Sequence, residues 1–187
     1  MGKKVKYIGG NLIEFEILKL VDKYDPILTT PTQDIDFEVM KGMEVASMSM
    51  SLMETLNKMN ALGLAANQVG LKYSMFALNV GKQIMGFINP KILAVSETKS
   101  DYKEGCLSFP GLLLSIKRPE WVEIEFYGVS GEKREQRFDG LTATVIQHEI
   151  DHLRGIRFVD LVPKMVLERE KAKIKSNMRK MKRMTAA

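Results

Sequence analysis

The sequence feature that most constrains this chain is a pair of histidines four positions apart, with a glutamate directly after the first. His148, Glu149 and His152 lie in the segment 147–155, which reads QHEIDHLRG. On an α-helix, positions 148 and 152 are one turn apart, so both imidazoles leave the same face and can bind one metal ion, with the carboxylate beside it as a base. The spacing predicts a catalytic metal centre. The alternative is a helix with two core histidines and a coincidental glutamate.

The same segment is predicted to be a helix that is buried on two sides. At about 100° per residue, the side opposite the histidines is apolar. It consists of Ile146, Ile150 and Leu153. Only a strip with Asp151 and Arg154 needs to meet water, so we interpret Asp151 as an ordinary solvent-facing residue. Asp139-Gly140 provides an N-cap and Gly155 a stop, which predicts about four turns.

A catalytic zinc-type site needs three protein ligands and one open position, so a third ligand is required. His148 and His152 are the only two histidines of the chain. Position 158, where a longer metalloprotease pattern would place a third histidine, is Phe158. The single cysteine, Cys106, is the remaining soft ligand, and we predict that it completes the set.

Composition limits the class of protein. A chain of 187 residues that is 45% hydrophobic fits one globular domain, predicted here as 1–187. The N-terminus is basic, but Gly9-Gly10 interrupts the apolar stretch that a signal peptide requires, and no segment is apolar enough to cross a membrane. A lone cysteine excludes an internal disulfide framework and suits a reducing compartment, so we expect a cytoplasmic protein.

The positive charge is concentrated at the C-terminus. Residues 164–187 hold nine Lys or Arg against two Glu, a net +7, which leaves −2 for the rest of a chain whose total is +5. Apolar residues recur among these cations, so the tail is predicted to be a basic helix. It is either a solvated charged face or a surface that binds a polyanion.

The other predicted elements surround the histidine helix. Asp34 or Asp36 can cap a helix that runs to about Asn60, and its methionines, including Met40, Met43, Met50 and Met53, are interpreted as core rather than as a metal or peptide surface. Strands are expected at 73–79, 84–89, 91–97, 121–127 and 132–138. Turns are expected at Gly81, Asn89-Pro90, Pro110-Gly111 and Ser130-Gly131. The predicted fold class is α+β, with short, mostly antiparallel strands around one central helix.

Gln68 lies in the small-residue run 61–70, where it is a neutral hydrogen-bond donor among apolar neighbours. A buried glutamine needs partners. The run is either a tight turn with a satisfied side chain or a functional loop.

Three segments together resemble the motifs of peptide deformylases. They are a Gly-rich stretch ending in Ala-Ala-x-Gln at 63–68, the run Glu-Gly-Cys-Leu-Ser at 104–108, and Gln-His-Glu-x-Asp-His-Leu-x-Gly at 147–155. They occur in the order and at the approximate separations of that family, and the resemblance covers about residues 25–162. Two positions depart from the family pattern: Ala61 stands where glycine is usual, and Leu113 stands where many bacterial members have arginine.

The resemblance implies a role for each matching residue. Cys106, His148 and His152 would hold one divalent metal ion, Glu149 would be the catalytic base, and Gln68 with the Leu107 backbone N–H would face the substrate oxygen. We assign Leu62, Gly63 and Gly105 to substrate binding. Glu104 and Arg118 would pair and brace the cysteine segment, and apolar residues of 112–116 would help to lodge a methionine side chain.

The implied reaction is removal of the formyl group from the N-terminal formyl-methionine of nascent peptides, with release of formate. The resemblance implies Fe²⁺, while Zn²⁺, Ni²⁺ or Co²⁺ would satisfy the same ligands. The implied partners are formylmethionyl peptides and, through the basic tail, ribosomal RNA. The other hypotheses are a zinc peptidase, which the HEIDH run alone would also fit, and an RNA-binding module with a structural metal, although structural sites usually have four protein ligands.

Overall fold

A computed structural model of the protein describes residues 4–8, 10–81 and 83–184. The helices are α1 (Gly42–Met59), α2 (Gly140–Leu153) and α3 (Lys164–Met184). The strands are β1 (Lys4–Ile8), β2 (Asn11–Phe15), β3 (Gly63–Ala65), β4 (Met75–Val80), β5 (Gln83–Val95), β6 (Lys99–Cys106), β7 (Phe109–Pro119), β8 (Trp121–Tyr127) and β9 (Lys133–Asp139). The predicted interruption at Gly9 and the last three residues of the tail lie outside the described residues.

A five-stranded antiparallel sheet, in the order β3-β4-β5-β8-β9, separates α1 from α2. Strand β4 shows why: Phe76 and Leu78 join the core cluster that contains Ile146 and Ile150 of α2, whereas Met75 and Ala77 join the cluster of α1. Successive side chains of a strand point to opposite faces, so an almost wholly apolar strand can be buried on both. The predicted class, α+β with mostly antiparallel strands around a central helix, is confirmed.

Two hairpins and the C-terminal helix complete the structure. Strands β6 and β7 pair with each other and form a separate two-stranded sheet that ends at Cys106. The β1–β2 hairpin packs on α1 through Ile13 and Phe15. The basic tail is helical, as predicted, and α3 packs on β7 with its half-buried Leu167 and Ile174. None of the helices in the described part of the chain is long and apolar enough to span a membrane.

Several predicted boundaries are wrong. Helix α1 begins at Gly42, because residues 36–40 form a turn in which the backbone N–H of Met40 donates to Asp36 O. The expected strands 84–89 and 91–97 are one strand, β5, and Asn89-Pro90 is an irregularity in its pairing with β8 rather than a turn. Met43 is exposed, unlike buried Met50, so the core interpretation fails for Met43.

The hairpin that carries Cys106 also differs from the prediction. It turns at residues 107–108, and Pro110-Gly111 lies within β7 at a shift of register opposite Gly105 and Cys106. The shift leaves Cys106 paired with Phe109 and Gly105 paired with Leu113. Such bulges bend a strand and redirect its side chains.

Candidate metal centre and active site

Three side chains from two elements meet at one point. Cys106 ends β6, while His148 and His152 lie one turn apart on α2. Their potential ligand atoms all lie within 4.8 Å of one another, and Cys106 Sγ is 3.2 Å from His152 Nε2. No other group of three His, Cys, Asp or Glu side chains among the described residues is close enough together to hold a metal ion.

Helix α2 presents the two histidines because its other side is anchored in the core. Ile146, Ile150 and Leu153 are buried against the sheet, as the 3.6-residue period predicted. The helix runs from Gly140 to Leu153, and Gly155, which follows it, has a φ of +74°. A Cβ at this position would lie 2.8 Å from the backbone of Thr29, so a glycine permits the close approach that ends the helix.

A buried charge network connects the cysteine hairpin to α2. Arg118 of β7 forms a bidentate pair with Glu104 of β6, as predicted, and donates from Nη1 to Asp151 Oδ2 at 2.8 Å. The interpretation of Asp151 as solvent-facing is therefore wrong, and its side chain is only 18% exposed. Arg118 fixes β6, β7 and α2 relative to one another, and so fixes Cys106 relative to the histidines.

Glu104 has a second role that the sequence did not predict. Its Oε2 lies 2.8 Å from His148 Nδ1, so the Nδ1–H of a neutral imidazole donates to the carboxylate and Nε2 is left as the metal-binding nitrogen. Burial opposes ionisation of Glu104, but the hydrogen bonds from His148 and Arg118 outweigh it and lower the pKa of the carboxyl group. Glu104 is therefore held as the carboxylate that orients a ligand.

The residues present fit a divalent metal ion. One thiolate and two imidazoles are ligands that Fe²⁺, Zn²⁺, Ni²⁺ and Co²⁺ all accept. Burial alone would lower the pKa of His148, yet the hydrogen bonds to Cys106 and Glu104 raise it to about 10 in the metal-free chain. At His152, in contrast, burial and the nearby charges of His148 and Arg118 lower the pKa to about 3, so this imidazole is in the neutral form that a metal ligand requires.

Glu149 faces the same space without belonging to the ligand set. It is 3% exposed, and its Oε2 has no hydrogen-bond partner among the described residues. Burial, which penalises the charged form, raises the pKa of its carboxyl group to about 7 in the metal-free chain. A carboxyl group with a pKa near neutrality can both accept and donate a proton under ordinary conditions.

The Gln68 side chain is held next to Cys106 by hydrogen bonds. Its Oε1 accepts from the Ala65 backbone N–H at 2.9 Å, which turns Nε2 toward Cys106 Sγ at 3.4 Å and Ser108 Oγ at 3.1 Å. The amide N–H groups are therefore directed toward the metal-binding cluster. Gln68 is therefore a buried side chain with satisfied hydrogen bonds, as one of the two alternatives predicted.

A cavity of about 400 Å³ opens over these groups. Its lining includes every residue assigned to catalysis or substrate binding: Gln68, Leu107, Glu149, Leu62, Gly63 and Gly105. Ala61, which departs from the family pattern, lines it as well, together with Tyr102, Leu141 and Thr144, which the sequence did not single out. A volume of this size accommodates a side chain and a short stretch of peptide.

The prediction that residues 112–116 lodge a methionine side chain is wrong. Leu112, Leu114 and Ile116 are buried against Phe158, Val159 and the inner face of α3. Leu113 points away from that cluster and is 56% exposed. Leu112, Leu114 and Ile116 therefore anchor the hairpin, and no residue of 112–116 lines the cavity.

The family model described as polypeptide deformylase matches residues 17–168. A peptide deformylase of Rhizobium meliloti is 36% identical over 149 residues, covering 75% of this chain and 82% of the relative. A crystal structure of the peptide deformylase from Thermotoga maritima superposes with a TM-score of 0.74 at 30% identity, covering 79% of this chain and 99% of that one. A Met-Ala-Ser-bound class I type b peptide deformylase from Acinetobacter baumannii gives a TM-score of 0.74 at 25% identity, covering 79% and 99%.

Proposed function

Because the chain belongs to the peptide deformylase family, we propose how its own residues remove the formyl group from the N-terminal formyl-methionine of new polypeptides. The observation that carries the proposal is the convergence of Cys106, His148 and His152 beside a cavity that Glu149 and Gln68 also line. That combination provides ligands, an acid/base group and a hydrogen-bond donor around one reacting carbon.

Cys106, His148 and His152 would hold the metal ion. A divalent ion in such a site supplies Lewis acidity, which makes water acidic enough to act as a nucleophile near neutral pH. We propose Fe²⁺ as the ion, with Zn²⁺, Ni²⁺ or Co²⁺ able to occupy the same ligands, since selectivity follows geometry and supply more than affinity.

Glu149 would carry out both proton transfers of the reaction. As a carboxylate it takes a proton from the water that attacks the formyl carbon, and it then delivers that proton to the nitrogen of the methionine as the C–N bond breaks. The products are formate and a peptide with a free N-terminal amine. Its burial and raised pKa suit a group that must act as a base and then as an acid.

Gln68 and Leu107 would stabilise the negative charge that develops on the formyl oxygen. The Gln68 amide is directed toward Cys106 by its bond to Ala65, and Leu107 follows Cys106 directly and lines the cavity. Donors that are fixed before the reaction stabilise an oxyanion without any cost of reorientation.

Leu62, Gly63 and Gly105 would contact the peptide. All three line the cavity, and Leu62 is 48% exposed at its rim. The glycine at 63 leaves room for the Glu149 carboxylate, because a Cβ at this position would overlap Glu149 Oε1. We propose that residues 1–187 are one catalytic domain with a basic tail at 164–187, and that it works in the cytoplasm or another compartment with bacterial-type translation.

The tail is proposed to bind ribosomal RNA. Its inner face packs on β7, while Met165, Met178 and Met181 are exposed. Glu168 and Glu170 pair with Lys171 and Lys173. Lys164, Lys175 and Arg179 have no carboxylate partner among the described residues, so positive charge remains available on the outer face.

The test of the proposed activity is an anaerobic assay of formate release from formyl-Met-Ala-Ser, with the bound metal measured on the same sample. We expect formate and Met-Ala-Ser in equal amounts at one metal ion per chain. Cleavage of the Met-Ala bond without formate would instead indicate a peptidase and would overturn the proposal.

A further inference from the structure

Asn67 joins the loop of Gln68 to the end of helix α2. The side chain is completely buried, and its Nδ2 donates to the backbone oxygen of His152 at 2.5 Å and to that of Ile27 at 3.5 Å. A carbonyl oxygen can only accept, so these two contacts fix which end of the amide is nitrogen. The His152 carbonyl belongs to the last turn of α2 and also accepts from the Gly155 backbone N–H at 3.0 Å.

Asn67 and His152 each have one further buried polar atom without a protein partner among the described residues. They are Asn67 Oδ1 and His152 Nδ1. The two atoms are complementary: Oδ1 accepts, and Nδ1 carries a proton when Nε2 is the nitrogen that faces the metal. Buried polar groups in folded proteins are almost always satisfied.

We propose that Asn67 is the positioning residue of His152, an inference that rests on the proposed metal-dependent function. Its Nδ2 holds the backbone of the histidine, and its Oδ1 accepts the Nδ1 proton through one buried water. This fixes the tautomer and leaves Nε2, which lies 3.2 Å from Cys106 Sγ, free to bind the ion. Buried waters typically bridge groups of this kind.

Each histidine would then have one side chain that orients it, but the two orienting side chains differ in charge. His148 is oriented by the carboxylate of Glu104, and His152 by a neutral amide. Asn67 also directly precedes Gln68, so its bond to the His152 carbonyl connects the segment that carries Gln68 to the end of α2. Loss of a partner that orients a metal ligand typically weakens metal affinity 10–100-fold.

The test compares Zn²⁺ dissociation constants of full-length variants, measured by competition with a chelator. Asn67→Leu is similar in size and has no polar atom, and we expect Zn²⁺ binding about 10–100-fold weaker. Asn67→Ala leaves space that water can fill, and we expect an intermediate loss.

The matched control is Thr32→Val, which removes the 3.0 Å bond from Thr32 Oγ1 to Leu153 O at the same helix end without touching His152. We expect this control to bind Zn²⁺ like the wild type.

Imidazole ¹⁵N NMR of the Zn²⁺-loaded protein provides the second readout, and with two histidines in the sequence the spectrum contains two rings. We expect a protonated Nδ1 and a metal-bound Nε2 for His152, and faster solvent exchange of the Nδ1 proton in Asn67→Leu with the His148 signals unchanged. If Asn67→Leu does not fold, Asn67→Ala must show the faster exchange.

If the Asn67 variants bind Zn²⁺ as tightly as Thr32→Val and give the same His152 signals, Asn67 does not position His152. A wild-type protein that binds no metal or releases no formate would instead overturn the proposed function, so the two failures can be distinguished.

Discussion

At the scale of single residues, Gly63 is the tightest constraint on the active site. A Cβ added there would overlap Glu149 Oε1 and lie 2.8 Å from both Glu149 Cδ and Val145 Cγ1. Gly63→Ala must therefore displace the carboxylate, and we expect turnover to fall by about 10²-fold or more, as for a lost acid/base group, while metal content is retained.

The matched control for Gly63→Ala is Gly42→Ala, because a Cβ at position 42 meets nothing within 4 Å. Its kinetics should equal those of the wild type. Normal formate release by Gly63→Ala would show that the position of the Glu149 carboxylate is not critical.

Glu149 should also make the stability of the metal-free protein depend on pH. Burial raises the pKa of Glu149 from its ordinary value of 4.5 to about 7. Between these values the folded chain keeps a proton that the unfolded chain releases, so the stability contributed by this group falls as pH rises through that window. Glu149→Gln removes the effect, and the variant should gain roughly 3 kcal/mol over the wild type between pH 5 and pH 8. Urea unfolding of both metal-free proteins measures the difference, and a gap that does not change with pH would contradict the assigned burial.

The sequence predicted the site residues whose geometry is local and missed those whose partners are distant. His148 and His152 follow from the helical period, and Cys106 follows because the chain has one cysteine and no third histidine. Asp151 was misjudged because its partner, Arg118, is 33 positions away, and the pairing depends on how β7 packs against α2. The contact between Glu104 and His148 was missed for the same reason, since it joins residues 44 positions apart.

At the scale of secondary-structure elements, Arg118 holds the cysteine hairpin against α2. Its side chain and that of Glu104 are 7% and 4% exposed. Removing one partner of a buried ion pair leaves an uncompensated charge and typically costs about 3–5 kcal/mol, so Arg118→Met should destabilise the protein by that amount. Urea unfolding of the metal-free protein provides the measurement.

The double variant Arg118→Met with Glu104→Gln serves as the control for this pair. It removes both charges and should recover a large part of the stability that Arg118→Met alone loses. If the single and double variants are equally unstable, the loss does not come from the unpaired Glu104 carboxylate but from packing or from Asp151, which Arg118 also contacts.

Helix α3 should contribute to ribosome binding and not to catalysis on small peptides. Basic contacts to RNA phosphates release counterions, so we expect ribosome co-sedimentation to fall steeply with salt. Truncation after Met178, or Lys175→Glu with Arg179→Glu, should weaken it at low salt while turnover of formyl-Met tripeptides is unchanged. The control is Lys58→Glu with Lys72→Glu, which changes the net charge equally at exposed sites outside α3. Equal, salt-independent sedimentation of all four proteins would show that the tail is only a solvated face.

The strands with alternating apolar residues were predicted best. Strand β8 begins and ends as predicted, and β9 begins and ends one residue later, because the alternation in Val122, Ile124 and Phe126 matches a half-buried strand. The start of α1 was placed too early because Asp36 is a good cap by residue type, but it forms a local turn instead. Strand β5 continues through Asn89-Pro90, where the sequence predicted a turn. The buried Asn89 side chain forms two 2.8 Å hydrogen bonds with the backbone of Ile35, and these bonds stabilise the irregular pairing at this point.

At the scale of the whole molecule, the site exists because the sheet and the hairpin bring together segments that are far apart in sequence. The Gln68 loop leads from β3 at the sheet edge, Cys106 comes from the β6–β7 hairpin, and the two histidines come from α2. The matched family region, 17–168, contains all three, and it leaves out β1, β2 and most of α3. The sequence motifs identified the three segments, but only the topology shows how Arg118 and Asn67 lock them together.

The measurement that tests the central claim most directly is the rate of formate release by Glu149→Gln, with metal content determined on the same sample. In the proposed mechanism, Cys106, His148 and His152 bind the metal and Glu149 transfers the proton. We therefore expect a full complement of metal and a turnover reduced by about 10²–10⁴-fold or more, because one group handles both proton transfers. Near-normal turnover with bound metal, or loss of the metal on substitution, would contradict that division of roles.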